Sequence, residues 1–175
     1  MISQNKKIKI LCLSVIIAIL TSMINLSPGT NIVAAADTSV TIPVNIDASV
    51  RYSPDSGVGN TNFGDSTALW AGTYEAQLSF EDDEARRLFV RFDDIGSYIP
   101  ANASINSAHV EFYSYYVANN SSFPLRTYQV TSSWLENNIT WNNQPSVGNY
   151  ISSTSVTGSD TWYACLLYTS PSPRD

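Results

Sequence analysis

From Thr41 onward, apolar side chains in this chain recur at every second residue. Arg87-Leu88-Phe89-Val90-Arg91-Phe92 puts Leu88, Val90 and Phe92 on one face, with Arg87 and Arg91 on the other. Ala108, Val110 and Phe112 repeat the pattern, opposite His109, Glu111, Tyr113 and Tyr115. A period of two fits an extended strand, whose side chains alternate between faces, and no helix. Thr41-Ile42-Pro43-Val44-Asn45-Ile46 reads as one strand, at a sheet edge because Pro43 cannot donate to a ladder. Residues 125–130 read as a further strand. Between the strands lie turn clusters: Ser53-Pro54-Asp55-Ser56-Gly57, Asn62-Phe63-Gly64-Asp65 and Asn142-Asn143-Gln144-Pro145. Only residues 94–98 suggest a helical turn, and no repeat or interdomain linker interrupts the pattern. The expected fold is all-β, a β-sandwich of jelly-roll type.

Both ends of the chain break the alternation. Lys6, Lys7 and Lys9 precede an apolar stretch from Ile10 to Ile24, then Pro28-Gly29 and the small residues Ala34, Ala35 and Ala36. This order is that of a secretory signal, and residues 1–36 are expected to be removed by cleavage after Ala36. The competing reading is a retained membrane anchor, since the stretch approaches the length of a span. Cys12 lacks the small residue that precedes a lipidated cysteine. At the other end, residues 165–175, Cys-Leu-Leu-Tyr-Thr-Ser-Pro-Ser-Pro-Arg-Asp, resemble the translation of a transposase-type sequencing adapter. They are expected to lie outside the fold. The sandwich is then incomplete at its C-terminal end, and the native protein is expected to carry further domains.

Residues 37–164 hold fourteen acids against five bases, a net charge of −9. That balance argues against nucleic acid, because phosphate backbones are held by Lys and Arg stripes. Charged residues make up only 14% of the chain, well below the roughly 25% of an ordinary soluble domain, which suits an exported β-protein. Cys12 and Cys165 both lie outside this segment, so neither a disulfide nor a thiol nucleophile is expected in it.

Four segments resemble the DNRLRE domain, also called carbohydrate-binding module family 96. They are Tyr52-Ser-Pro-Asp55 with Asn62-Phe-Gly-Asp65; Arg87-Leu-Phe-Val-Arg-Phe-Asp93; Ile105-Asn-Ser-Ala-His-Val-Glu-Phe-Tyr113; and Thr131-Ser-Ser-Trp-Leu-Glu136 with Ile139-Thr-Trp-Asn-Asn-Gln-Pro145. The last is the most specific, with two tryptophans and Asn-Gln-Pro at fixed spacing. The resemblance covers nearly all of residues 40–164. It implies a jelly-roll sandwich and a non-catalytic module of secreted or cell-surface proteins, with binding of alginate-like polysaccharide known for some members.

The residues themselves offer several candidate sites. Tyr113 and Tyr115 share a face with His109 and Glu111, as either a sugar-facing surface or an ordinary solvated one. Trp134 and Trp141 bracket a polar loop, and indoles there either stack on sugar rings or anchor a core. Arg87, Arg91 and Arg126 could meet the carboxylates of an acidic polymer with bidentate forks. Asp55, Asn60, Asn62 and Asp65 share a Gly-rich loop whose oxygens suit structural calcium, or simply a tight turn. Glu81-Asp82-Asp83-Glu84 reads as a solvated loop.

Catalysis is not expected. Carboxylates are plentiful, but none stands in a catalytic motif. His109 is the single histidine, and no Gly-x-Ser-x-Gly elbow occurs. The expected protein is a polysaccharide-binding module, secreted or at a bacterial cell surface, touching the membrane only through its export signal and needing no cofactor beyond possible calcium. The alternatives are a structural or adhesive spacer and a fragment of a polysaccharide-degrading enzyme.

Overall fold

Residues 8–20, 37–54, 57–74, 84–117 and 122–170 are described by a computed structural model. Lys6, Lys7, residues 34–36, Asp55, Glu81, Asp82, Asp83 and residues 171–175 lie outside the described residues. Nine strands follow in order: β1 (Ile8–Leu20), β2 (Asp37–Pro43), β3 (Ile46–Tyr52), β4 (Leu69–Tyr74), β5 (Glu84–Arg91), β6 (Ser104–Val117), β7 (Phe123–Val130), β8 (Val147–Val156) and β9 (Thr161–Thr169). One short helix, α1 (Ile95–Tyr98), occupies the turn expected there. The architecture is an all-β sandwich of antiparallel strands. One sheet runs β3-β5-β4-β1-β6-β9, with β2 beside β1, and β7 and β8 form a second sheet.

The alternation expected on β5 and β6 is realised. Leu88, Val90 and Phe92 pack against the main core with Val110 and Phe112, joined by Ile42, Leu69, Val156 and Cys165. The expected strand 41–46 is instead two. Ile42 enters the main core, whereas Ile46 packs on a second cluster. The break falls at Val44 and Asn45, where the Asn45 side chain accepts a bond from the Asp93 backbone (3.1 Å). Pro43 ends β2, which pairs with β1 alone.

The opposite face of β5 is also covered. Phe89 is buried there with Ala48, Val50, Trp134 and Ile139. A segment without regular strand structure, residues 131–146, folds over this face and turns it into a second core. Arg87 and Arg91 lie on the expected outward face, over the rings of Trp141 and Trp134 at 4.7 and 5.5 Å, and Arg87 stays exposed. Cation–π contact lets a guanidinium lie on such a layer without losing its charge.

Residues Ile8–Leu20, expected in a signal, form β1. It pairs antiparallel with β6 along one edge and with β2 and β4 along the other. β9 continues past position 165, the expected start of the foreign tail, with Cys165 buried in the main core.

One buried ion cluster ties the first sheet. Arg51 on β3 faces Arg86 on β5, and Glu84 accepts from both: Arg51 Nη2 at 3.0 Å, and Arg86 Nε. Arg86 also lies 5.0 Å from the Trp70 ring. Burial is the largest single influence on the Glu84 carboxyl and would raise its pKa. The hydrogen bonds and charges of Arg86 and Arg51 together outweigh it and hold the group below its usual range.

Removing that carboxylate leaves two guanidinium groups without their partner. Glu84→Gln is therefore expected to cost about 2–3 kcal/mol at neutral pH, below the figure for a fully buried pair because Arg51 is partly solvated. A group with a lowered folded pKa stabilises fully above its unfolded value, and that stability is lost as pH falls through the folded value. The gap between wild type and variant should close in acid, as urea denaturation across that range would read. Trp134→Ala should cost roughly 3–5 kcal/mol by the same measurement, because it empties the second core.

Candidate functional site

The outer face of β6 and β9 gathers most of the exposed aromatic surface of the larger sheet. Register places His109 opposite Leu166, Glu111 opposite Ala164 and Tyr113 opposite Trp162. The same alternation that sends Val110, Phe112, Tyr163 and Cys165 inward sends these side chains outward. Tyr113 and Trp162 meet edge to face, centroids 5.5 Å apart at 64°. Trp162 keeps 51% of its surface in water and Tyr115 keeps 50%. Leu166 and Tyr168 extend the exposed strip along β9.

The turn before β9 fixes this pair. Tyr163 lies on the inner face, stacked on Phe112 at 6.1 Å, and its hydroxyl accepts from the backbone N–H groups of Thr157 (2.9 Å) and Gly158 (2.8 Å). Ser159 accepts from the Val117 backbone at 2.8 Å, which ties the turn to the end of β6. Asp160 adopts a left-handed backbone (φ 56°), a conformation aspartate tolerates better than most residues. Its carboxylate then accepts from the Tyr113 hydroxyl at 3.4 Å. Desolvation first, and the Asp160 charge and bond second, raise the Tyr113 pKa, so the phenol stays protonated. His109 Nε2 lies 3.3 Å from Glu111. The face thus offers two rings held at a fixed angle, with carboxylates beside them.

The remaining candidate residues separate into other groups. Arg87, Arg91, Trp134 and Trp141 come together on the second core. Trp134 is buried and meets Phe89 edge-on at 5.8 Å. Arg91 donates to the Trp134 carbonyl (2.5 Å) and forks onto Asp93 (2.6 and 3.0 Å). Arg87 donates to Gln144 (3.0 Å). Trp141 is half-buried against Tyr52, centroids 5.5 Å apart. Arg126 lies exposed on β7, in the other sheet, on the side that carries the exposed Tyr128–Tyr150 pair.

Of the calcium candidates, Asn62 is committed to the fold. Its amide donates to the carbonyls of Glu136 and Ile139, each at 2.7 Å, and its oxygen accepts from the Gly64 backbone. Gly64 packs so closely on Glu136 that a Cβ there would sit 2.2 Å from its carbonyl oxygen. Asn60 accepts from Asn142 at 2.7 Å, and Asp65 is exposed. The loop therefore braces the tryptophan segment. Among the described residues, no group of three or more His, Cys, Asp or Glu is placed to hold a metal ion.

Sequence reasoning missed Trp162. Its signal was the Thr161-Trp162-Tyr163 alternation, but only the pairing of β9 with β6 shows that the outward ring meets Tyr113. A family model described as carbohydrate-binding module family 96 matches residues 38–165. No curated protein and no solved structure matches the chain. The match spans well over half of the chain and takes in β6, Trp162 and the double-tryptophan segment, so the chain belongs to carbohydrate-binding module family 96.

Proposed function

We propose that this chain is the non-catalytic polysaccharide-binding part of a secreted bacterial protein, and that the outer face of β6 and β9 is its platform. The observation that carries this reading is Trp162, half exposed and held at a fixed angle by Tyr113. Stacking on the C–H face of a pyranose needs a flat, exposed and immobilised ring, which costs little conformational entropy on binding. The tryptophans of the family motif serve less well, because Arg87, Arg91, Phe89 and Tyr52 already occupy their faces. Export rests on the order of basic, apolar and small residues before Asp37. A molecule that loses residues 1–36 also loses β1, so the N-terminal mass of secreted protein reports on both at once.

Mass spectrometry of the secreted protein is expected to find Asp37 at the N-terminus, and a Met1 end in the membrane fraction would overturn export. Affinity electrophoresis in alginate, pectin, xylan and β-glucan gels, with and without chelator, is expected to show retardation without release of reducing or unsaturated ends. Trp162→Ala should weaken retardation about tenfold, the scale of one stacked ring, and change stability by less than about 1 kcal/mol. No retardation in any gel would favour a spacer domain.

A further inference from the structure

We infer that the outer face of β7 and β8 is a second binding face, in which Arg126, Tyr128 and Tyr150 hold the carboxylate-bearing units of an acidic polysaccharide. The inference rests on the polysaccharide-binding reading above, but on no residue of the β6–β9 platform. Phe123 and Leu125 of β7 and Val156 of β8 enter the main core with Val110, Phe112 and Cys165 of β6 and β9. The two sheets therefore pack inner face to inner face, and their outer faces look away from each other. β7 and β8 pair only with each other, so no described residue before Phe123 belongs to this sheet.

Its outer face carries one cation, two rings and a row of hydroxyls. Tyr128 and Tyr150 are cross-strand partners, edge to face with centroids 5.7 Å apart, and both are exposed. Arg126, two residues before Tyr128, is exposed and registered opposite Ser153. Two residues along a strand span roughly 7 Å, close enough for the guanidinium and the rings to meet neighbouring units of one polymer. Among the described residues, Arg51 and Arg86 flank Glu84, Arg87 is bonded to Gln144, and Arg91 is forked onto Asp93. Arg126 has no such ion pair or hydrogen bond to a described residue. Neither β7 nor β8 contains an Asp or Glu that could take its fork.

A free guanidinium on a strand pair without carboxylates is complementary to a carboxylate, which it can hold through two parallel hydrogen bonds. A uronate presents that group beside a pyranose ring, whose C–H face can lie on an exposed tyrosine. Two faces directed away from each other act in parallel, so loss of one leaves the retardation that the other provides.

The test is affinity electrophoresis of the full chain in alginate and polygalacturonate gels, with β-glucan as the uncharged comparison, at low and high salt. Trp162→Ala isolates the second face. In that background Arg126→Gln and Tyr150→Ala are each expected to weaken the remaining retardation by the acidic gels about threefold to tenfold. Arg126→Lys keeps the charge without the fork and should lose less. High salt should shrink the Arg126 effect. Both side chains are exposed, so neither change should move the urea midpoint measurably. Retardation that Trp162→Ala abolishes outright, or that Arg126→Gln and Tyr150→Ala both leave unchanged in the Trp162→Ala chain, would overturn the second face and leave the platform standing. Retardation untouched by Trp162→Ala but weakened by Arg126→Gln would overturn the platform and leave this face standing. An equal loss from Arg126→Gln in the β-glucan gel would overturn carboxylate recognition. No retardation in any gel would overturn both faces.

Discussion

β5 packs against a hydrophobic core on each face, and the rest of the sandwich is arranged around that constraint. One face supplies Leu88 and Val90 to the main core, and the other supplies Phe89 to the second. Phe89 stands between Arg87 and Arg91 on that second face, and a large aromatic there is stabilised by cover that removes it from water. β2, β6, β7, β8 and β9 contribute to the cover on one side. On the other side the cover is a segment without strands, in which Trp134 and Ile139 fill the layer. That segment has few backbone partners of its own in a ladder. It is fixed by side chains instead: Asn62 to two carbonyls, Asn143 to the Asn138 carbonyl, Gln144 to the Trp141 carbonyl. The Asn- and Gly-rich loop that resembles a cation site in sequence therefore has a structural duty in the second core.

The exposed edge of the larger sheet is managed with similar economy. β9 pairs with β6 on one side, and side chains of β8 reach the carbonyls on its other side. Ser152 and Thr154 on β8 donate their hydroxyls to the carbonyls of Leu166 and Ala164, each at 2.6 Å. A serine-rich strand laid against an edge satisfies its acceptors without extending the ladder, which limits pairing with another chain. The same arrangement holds β9 in place from the side opposite β6, and so steadies the strand that carries Trp162.

Much of this was legible from the alternation alone. The inward sets on β5 and β6 and the outward stripe of His109, Glu111, Tyr113 and Tyr115 follow from period two, and the short helix at Ile95–Tyr98 falls where the alternation stops. Three features were not legible, for separate physical reasons. The tryptophan contacts of Arg87 and Arg91 do not show in the sequence, because nothing in a strand pattern reveals an irregular segment folding over it. Trp134 and Trp141 carry the same chemistry in a core as on a sugar platform, and only their neighbours separate the roles. The apolar run Ile8–Leu20 barely alternates. Such a run suits a translocation signal, and it equally suits a strand flanked by neighbours on both edges, as β1 is.

The contrast between the two aromatic groups explains why the proposed platform is placed on β6 and β9. An aromatic ring can be spent once. In the second core, guanidinium groups lie over Trp134 and Trp141, and Phe89 and Tyr52 take further surface, so a sugar would have to displace contacts that hold the fold. On β6 and β9, Trp162 touches Tyr113 only edge to face, which fixes the angle of the indole and leaves half of it in water. Tyr163, one residue on, anchors the same strand inward through Phe112 and the turn backbone. Alternation along two residues thus divides the labour: the inward ring supplies rigidity and the outward ring supplies surface. Binding energy at such a site is not consumed in ordering the receptor, which is the condition under which a shallow, flat face can hold a polymer at all.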